Sequence, residues 1–404
     1  MEEYQFRTMR VDDVKPGMIL HTTAVTESGR VVLRAGTQMN ARAIEGLKTW
    51  NIMQVDIRIL GEHADAVSSF DAEIEKLLGE KQPILSESKA EAVVEAIADP
   101  VKEMALETPP EPENDEYAAE NLPDSFVDNY MSALAQVKYE LSMARFQKNS
   151  FNPEHLKALI PEVLQPLLED KTIFWKLQFI EHKEDYLYHH SIDVAILAGC
   201  IGEWMGCTQK SLESLMWGAL LHDIGKTLVP LNIINKSGSL TAEEWNIAQL
   251  HAVRGYKYLR KNYDMPHEIH YCVLQHHERM DGSGYPLSLP GKKIDICGRI
   301  IAIADIYSAM TSLRSYGKRR TSYDAAATLQ SEMFGKLDSQ VCMQFLGRLR
   351  QFFQGNMVRL NDGRDAEVVY LNPGDDSRPM VRTADGAVID LARSRDFSIR
   401  RVLY

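Results

Sequence analysis

The run "LLHDIGK", residues 220–226, sets a histidine, an aspartate and a lysine inside one short apolar stretch. A polar or charged group there costs free energy unless something compensates it, and a bound metal is the strongest compensation available. On a helix His222 and Asp223 would point about 100° apart, yet a carboxylate can bridge two metals while the imidazole holds one of them. Lys226, four residues after His222, would return to the same face and place a cation beside an anionic substrate oxygen. The same problem recurs twice. "QHHERMDGSGYP" puts His276 next to His277 ahead of a glycine-rich loop, and Asp305 sits inside the otherwise apolar "RIIAIADIYSAM". Nine of the twelve histidines fall between residues 182 and 277. A single histidine on an apolar helix face is usually an ordinary core residue, but five to seven histidines and aspartates on separate helices match what a dinuclear metal site needs.

The elements that must position these groups follow from hydrophobic periodicity. From about 124 to 354 apolar residues recur at three and four spacing, as in "SFVDNYMSALAQVKYELSMARF" and "RIIAIADIYSAMTSL", which predicts an all-α domain over 123–354. Residues 1–61 read as a small β/α accessory unit. Two apolar runs flank a turn at Glu27-Ser28-Gly29, Asn40 can cap a short helix "ARAIEGLKTW", and "MQVDIRI" reads as a strand. Residues 62–122 shift to Glu, Ala, Ser and Pro and predict an acidic linker with one short helix near 88–98, because Pro109, Pro110 and Pro112 forbid a continuous helix. Residues 355–404 predict a small β unit with hairpin turns at Asp362-Gly363 and Asp385-Gly386. The fold class is therefore mainly α, with small β-rich units at both ends.

Composition bounds the function. The chain of 404 residues carries a net charge of −12, which argues against polymeric nucleic acid or an anionic membrane as partner while still allowing a small anionic ligand. The start "MEEYQFRTMR" lacks the apolar segment of a signal peptide and no long apolar run follows, so a cytoplasmic location is expected. Five scattered cysteines without a close pair support neither a disulfide framework nor a zinc ribbon and read as reduced core residues.

Taken together, "HHSIDVA" (189–195), "LLHDIGK" (220–226), "LHAVRGYKYL" (250–259), "QHHERMDGSGYP" (275–286) and "IADIYSAMTSLRSY" (303–316) resemble, in order, the motifs of the HD-GYP family of metal-dependent phosphodiesterases, within the HD phosphohydrolases. The resemblance covers roughly residues 180–320. It implies an all-helical core, two divalent transition metals (iron or manganese foremost, nickel or cobalt also compatible), and hydrolysis of cyclic di-GMP to pGpG or GMP by a hydroxide bridging the metals. By motif, one metal would be held by His190, His222, Asp223 and Asp305, and the other by Asp223, His251, His276 and His277. His190 rather than His189 is implied because the family's histidine directly precedes a serine, here Ser191. Lys226 and Arg314, with Lys318 nearby, would neutralise the phosphate, and Gly284, Tyr285 and Pro286 would form the loop at the substrate, which in relatives is also a proposed contact for GGDEF-domain cyclases. His182, His189, His267 and His270 are read as ordinary surface, core or supporting residues.

Departures from the family pattern are also visible. Tyr186 stands where some relatives place a glutamate for a third metal, so two metals are expected. Leu228, Ser308, Leu313, Ser315 and Gly317 replace residues common around the phosphate and base pocket. The alternatives are accordingly another cyclic dinucleotide, such as cyclic GMP-AMP, or a nucleotide-binding or interaction module of negligible turnover. A homodimer is compatible with all of these.

Overall fold

The computed structural model describes residues 6–14, 19–20, 22–26, 31–33, 37, 39, 41–50, 52–58, 74, 76–78, 122–146, 151–170, 172–180, 185–234, 236, 238–312, 320–372 and 375–403. The chain divides into two compact units, Met1–Gln82 and Pro83–Tyr404.

The first unit contains strands β1 (Phe6–Arg10), β2 (Ile19–Leu20), β3 (Ala24–Val25) and β4 (Val31–Leu33), helix α1 (Ala41–Thr49) and strand β5 (Gln54–Arg58). Strand β5 lies between β1 and β2, antiparallel to both, while β3 and β4 pair with each other. Leu20, Met39, Leu47 and Val55 are buried together. The β/α character expected from the alternating apolar runs is therefore present. The turn at Glu27-Ser28-Gly29, the cap residue Asn40 and the short helix near 88–98 lie outside the described residues, as does most of the expected linker. Within that linker Ile74 is buried.

The first described helix of the second unit is α2 (Asp124–Phe146), whose buried positions include Phe126, Tyr130, Ala133, Val137, Leu141 and Ala144. Their three and four spacing puts one apolar stripe against the rest of the unit. Helix α3 (Pro153–Leu159) continues through a π stretch (Ile160–Leu164) into α4 (Gln165–Leu168), and α5 (Ile173–Phe179) follows. Helix α6 (Tyr186–Trp204) is buried from His189 to Gly202, so it presents no solvent face over most of its length. Packing of α2, α7 (Gln209–Leu221) and α11 (Ile296–Thr311) around it accounts for that burial. Between α7 and α11 run a 3-10 turn (Ile224–Leu228), α8 (Leu231–Ile234), α9 (Ala242–Asn262) and α10 (His267–Gln275), and α12 (Ser322–Glu332) and α13 (Ser339–Phe353) complete the helices.

Side-chain caps account for several helix starts. Thr241 and Glu244 form a reciprocal capping box at α9, and Thr321 with Asp324 does the same at α12. Strands β6 (Met357–Leu360), β7 (Asp365–Asn372), β8 (Asp375–Thr383), β9 (Val388–Asp390) and β10 (Ile399–Val402) form an antiparallel sheet in the order β10-β6-β7-β8-β9. Both predicted hairpin turns are present, with Gly363 at φ 90° and Gly386 at φ 84°, a region glycine enters without steric penalty. The sheet shares one apolar core with the helices, in which Val358, Val368 and Val381 join Phe345 and Ile196.

One expectation changes. The run "LLHDIGK" is not one helix: α7 ends at Leu221, Asp223 adopts φ −100° and ψ 10°, and a 3-10 turn begins at Ile224. Lys226 reaches Asp223 through that tighter turn rather than through a helical face.

Candidate metal centre

The break after Leu221 is what brings the groups of the run together. His222 follows the last helical residue, and its Nδ1 donates at 2.7 Å to the Ala219 carbonyl, which the His222 backbone N–H reaches only at 3.5 Å. Two glycines then set the approach of the 3-10 turn to α9. A Cβ on Gly225 would fall 1.8 Å from the His251 carbonyl oxygen, and one on Gly255 would fall 2.8 Å from Val273 Cγ1 and 3.0 Å from the Gly225 nitrogen. Backbone therefore lies directly on backbone, and His251 faces Asp223. Arg145 of α2 donates to the Lys226 carbonyl at 3.0 Å, and Arg254 donates to the Leu228 carbonyl at 3.0 Å, holding the turn from two sides.

The seven residues implied by the family motifs converge. Asp223, His251, His276 and His277 offer ligand atoms within 4.8 Å of one another, and so do His190, His222 and Asp305. The two oxygens of Asp223 divide between these sets. Oδ2 lies 3.3 Å from His222 Nε2 and 3.8 Å from His190 Nε2, while Oδ1 lies 3.4 Å from His251 Nε2 and 3.8 Å from His276 Nε2. Asp305 spans the same gap from the far side, with Oδ1 3.0 Å from His190 Nε2 and Oδ2 3.8 Å from His277 Nδ1. Lys226 Nζ donates to Asp223 Oδ2 at 2.5 Å.

Hydrogen bonds fix the tautomers. A carbonyl only accepts, so His222, His251 and His276, whose Nδ1 atoms bond the carbonyls of Ala219 (2.7 Å), Ala248 (2.7 Å) and Val273 (3.0 Å), carry their proton on Nδ1 when neutral. Their Nε2 lone pairs then point inward, as ligands must. His251 Nε2 and His276 Nε2 stand 3.3 Å apart, an arrangement of two neutral lone pairs that a cation between them would relieve. Among the described residues His222 Nε2 and Asp223 Oδ1 are buried without a hydrogen-bond partner. Orphaned inward atoms and a nitrogen and carboxylate donor set both fit divalent transition metals.

Charge reinforces the fit at all of these groups except His222, whose pKa Asp223 and Asp305 raise against its burial. Burial favours the neutral form of Asp223, but Lys226, His222 and His251 together override it and hold the carboxyl well below the usual range. Asp305 is likewise held well below that range, with His190 and His277 overcoming its burial. Burial and its positive neighbours hold His251 down to about 4, against the pull of Asp223, while burial and adjacent histidines push His276 and His277 well below the ordinary imidazole value. Neutral imidazoles and ionised carboxylates are the forms that bind metal. Exposure within the cluster is uneven: His190, His222, His276 and Asp223 have side chains no more than 1% exposed, whereas Asp305 is 12%, His277 18% and Lys226 26% exposed. Among the described residues the open edge of the cluster is therefore at Asp305, His277 and Lys226.

Several supporting residues carry no motif of their own. Ser308 Oγ lies 2.9 Å from His190 Nδ1 and fixes that ring, so a position that reads as a departure near the phosphate pocket serves a metal-side histidine. Tyr186 lies flat on the His190 ring at 5.3 Å. His189 is not on the helix surface. It is buried, and Tyr130 Oη sits 3.2 Å from its Nδ1 while donating to Asp193 at 2.8 Å. Glu278 is buried and accepts from the backbone of Leu287 at 2.6 Å and Leu289 at 2.9 Å, pinning the loop that contains Gly284, Tyr285 and Pro286. A Cβ on Gly284 would fall 2.4 Å from the Arg279 nitrogen, so that glycine is needed for close backbone packing. The available signals were a glycine inside each helical pattern and an acidic residue beside the histidine pair. Neither names its partner.

Other expected sites fall elsewhere. Arg314 and Lys318, along with Leu313, Ser315 and Gly317, lie outside the described residues, as does His182. His270 is buried against the Tyr256 ring, and His267 is partly exposed beside Glu268. All five cysteines are free. Cys200, Cys272 and Cys342 are buried, while Cys207 and Cys297 are only partly so and thus not wholly core residues.

Known proteins resemble this part of the chain. Residues 163–341, which include all seven converging residues, match the HD domain family. The chain is 31% identical over 210 residues to a cyclic di-GMP phosphodiesterase of Pseudomonas aeruginosa, covering 52% of this chain and 50% of that protein. It is 38% identical over 160 residues to a cyclic di-GMP phosphodiesterase of Thermotoga maritima, covering 39% and 43%. It is also 32% identical over 176 residues to a 3'3'-cGAMP-specific phosphodiesterase of Vibrio cholerae, covering 43% and 41%. The chain thus spans half or less of the length of these curated relatives. The helical unit thus contains a match to the HD domain over residues 163–341, and its ordered motifs and converging histidines and aspartates fit the HD-GYP family.

Proposed function

We propose that this chain is a metal-dependent phosphodiesterase that hydrolyses cyclic di-GMP to pGpG, GMP or both. The observation that carries the proposal is the division of Asp223, whose two oxygens face separate ligand sets. In this reading His190, His222, Asp223 and Asp305 hold one divalent ion, and Asp223, His251, His276 and His277 hold the other. Iron or manganese is the first choice, with cobalt and nickel compatible with the same donors. Bound there, the ions would supply an activated water and neutralise charge on the phosphoryl group.

The chain's own groups do the rest. Lys226 stands at the open edge with its ammonium against Asp223, and it is the described cation placed to meet a phosphate oxygen arriving over His277. Burial opposes its charge, but Asp223 and Asp305 outweigh that and raise its pKa, so it stays protonated. Arg314 and Lys318 are assigned to the phosphate as well, on the motif. The buried walls around His190, His222 and His276 exclude bulk water, which strengthens every charge interaction inside.

Identity of 32% to a 3'3'-cGAMP-specific enzyme supports the mixed dinucleotide as a second substrate. The remaining assignments are a GGDEF-domain partner at the loop around Tyr285, a homodimer, a cytoplasmic location and the domain scheme 1–61, 62–122, 123–354 and 355–404. Among the described residues no helix is long and apolar enough to cross a membrane.

The test is anaerobic purification with metal analysis, then incubation of the chain and of Lys226→Ala with each cyclic dinucleotide. Two metals per chain with conversion to linear product, retained metals but lost turnover in the variant, is the expected result. Bound metals with neither dinucleotide cut would overturn the enzyme reading and leave a binding module.

A further inference from the structure

Trp245, on the first turn of α9, is 50% exposed, an unusual state for the largest apolar side chain. Its indole is not isolated. It meets the Tyr285 ring edge-on at 6.4 Å, and Tyr285 lies 4.5 Å from the His277 ring and 6.3 Å from that of His251. A chain of aromatic rings therefore runs from the open side of the candidate metal centre to solvent. The turn bearing Trp245 is rigidly held. Glu244 accepts from the Thr241 backbone at 2.7 Å, Thr241 Oγ1 accepts from the Glu244 backbone at 3.2 Å, and Lys236 Nζ donates to Glu244 at 2.5 Å. The Trp245 backbone itself donates to the Thr241 carbonyl at 2.8 Å.

From this we infer that Trp245 is a stacking platform for a nucleobase of the substrate, with Tyr285 as the wall between base and phosphate. The inference rests on the phosphodiester reading of the same site. A nucleotide's base stands one sugar away from its phosphate, and Trp245 stands one ring beyond Tyr285, which itself borders His277. With phosphate between His277 and Lys226, a base projecting outward passes Tyr285 and reaches the indole face. A π face is shared by every base, so such a platform supplies affinity rather than a choice between guanine and adenine, and it accommodates either cyclic dinucleotide.

The test is calorimetric titration of the full chain, reconstituted with manganese, with GMP and separately with inorganic phosphate, which has no base. Trp245→Ala should weaken GMP roughly ten-fold. Inorganic phosphate affinity and bound manganese should not change, and Trp245→Phe should recover most of the loss because it keeps a ring. Unchanged GMP affinity in Trp245→Ala overturns the inference, as does an equal loss for phosphate, which would mean that the indole only supports the metal side. Turnover of cyclic di-GMP by the wild-type chain is read alongside. GMP held through Trp245 without turnover would sustain the platform and sink the hydrolase reading.

Discussion

At the scale of the residue, Asp223 joins the two ligand sets, and no other described side chain faces His222 and His251 with separate oxygens. Asp223→Ala should therefore remove both metals rather than one, with loss of hydrolysis, as read by metal analysis of the purified variant. Retention of a full metal complement would contradict the bridging role. Ser308 offers a finer probe. Its hydroxyl is the partner of His190 Nδ1, and loss of such an outer partner lowers metal affinity by roughly ten-fold or more. Ser308→Ala should show that loss in a competition titration with a chelator while the fold stays intact, and an unchanged affinity would show that packing of Tyr186 alone orients the ring. His222, Asp223, His276, His277 and Asp305 were legible in the chain because each stands in a short window of unusual chemistry, whereas His190 and His251 were reached only through the resemblance to the family motifs. Ser308 was not legible, since a serine in an apolar helix has many uses and its partner lies 118 positions away.

At the scale of the element, the short 3-10 turn after α7 decides the geometry. A continuous helix through residue 226 would carry His222 and Asp223 around the axis and leave Asp223 without its second set of neighbours. What holds the turn is backbone contact, with Gly225 against the carbonyl of His251. Gly225→Ala puts a methyl where no atom fits and neither flank can yield, because both are main chain, so a cost of about 3 kcal/mol is expected. Thermal unfolding should fall by several degrees, and metal content should fall with it as α9 is pushed away from the turn. A variant with wild-type melting and metal content would mean that α9 moves freely there. Helix periodicity and turn residues predicted α2, α11 and both C-terminal hairpins, since these depend on local pattern. The end of α7 escaped because "LLHDIGK" keeps its apolar spacing through the break.

At the scale of the whole second unit, the helices and the terminal sheet share one apolar core, and a set of buried histidines and carboxylates interrupts that core at the centre. Metal that binds the folded site and not the unfolded chain adds its binding free energy to stability, about 2.7 kcal/mol per site when free metal is a hundred times its dissociation constant. Chelation should accordingly lower the melting temperature of the wild-type chain, and manganese or iron should restore it. Asp223→Ala should melt at the same temperature with and without chelator. Equal melting of the wild type in both conditions would count against metal occupancy.

The chain alone made readable the kinds of side chain present, their spacing within each short window and the helical or extended period around them, because those are properties of neighbours in sequence. It could not show that His190 is oriented by Ser308, that His189 is tied to Tyr130, that Gly225 meets the His251 carbonyl, or that Trp245 stands at the end of a row of rings. Each of those pairs spans tens of residues or more, and their meeting is set by how all the helices pack around α6, where burial of apolar surface rather than any local preference chooses the arrangement.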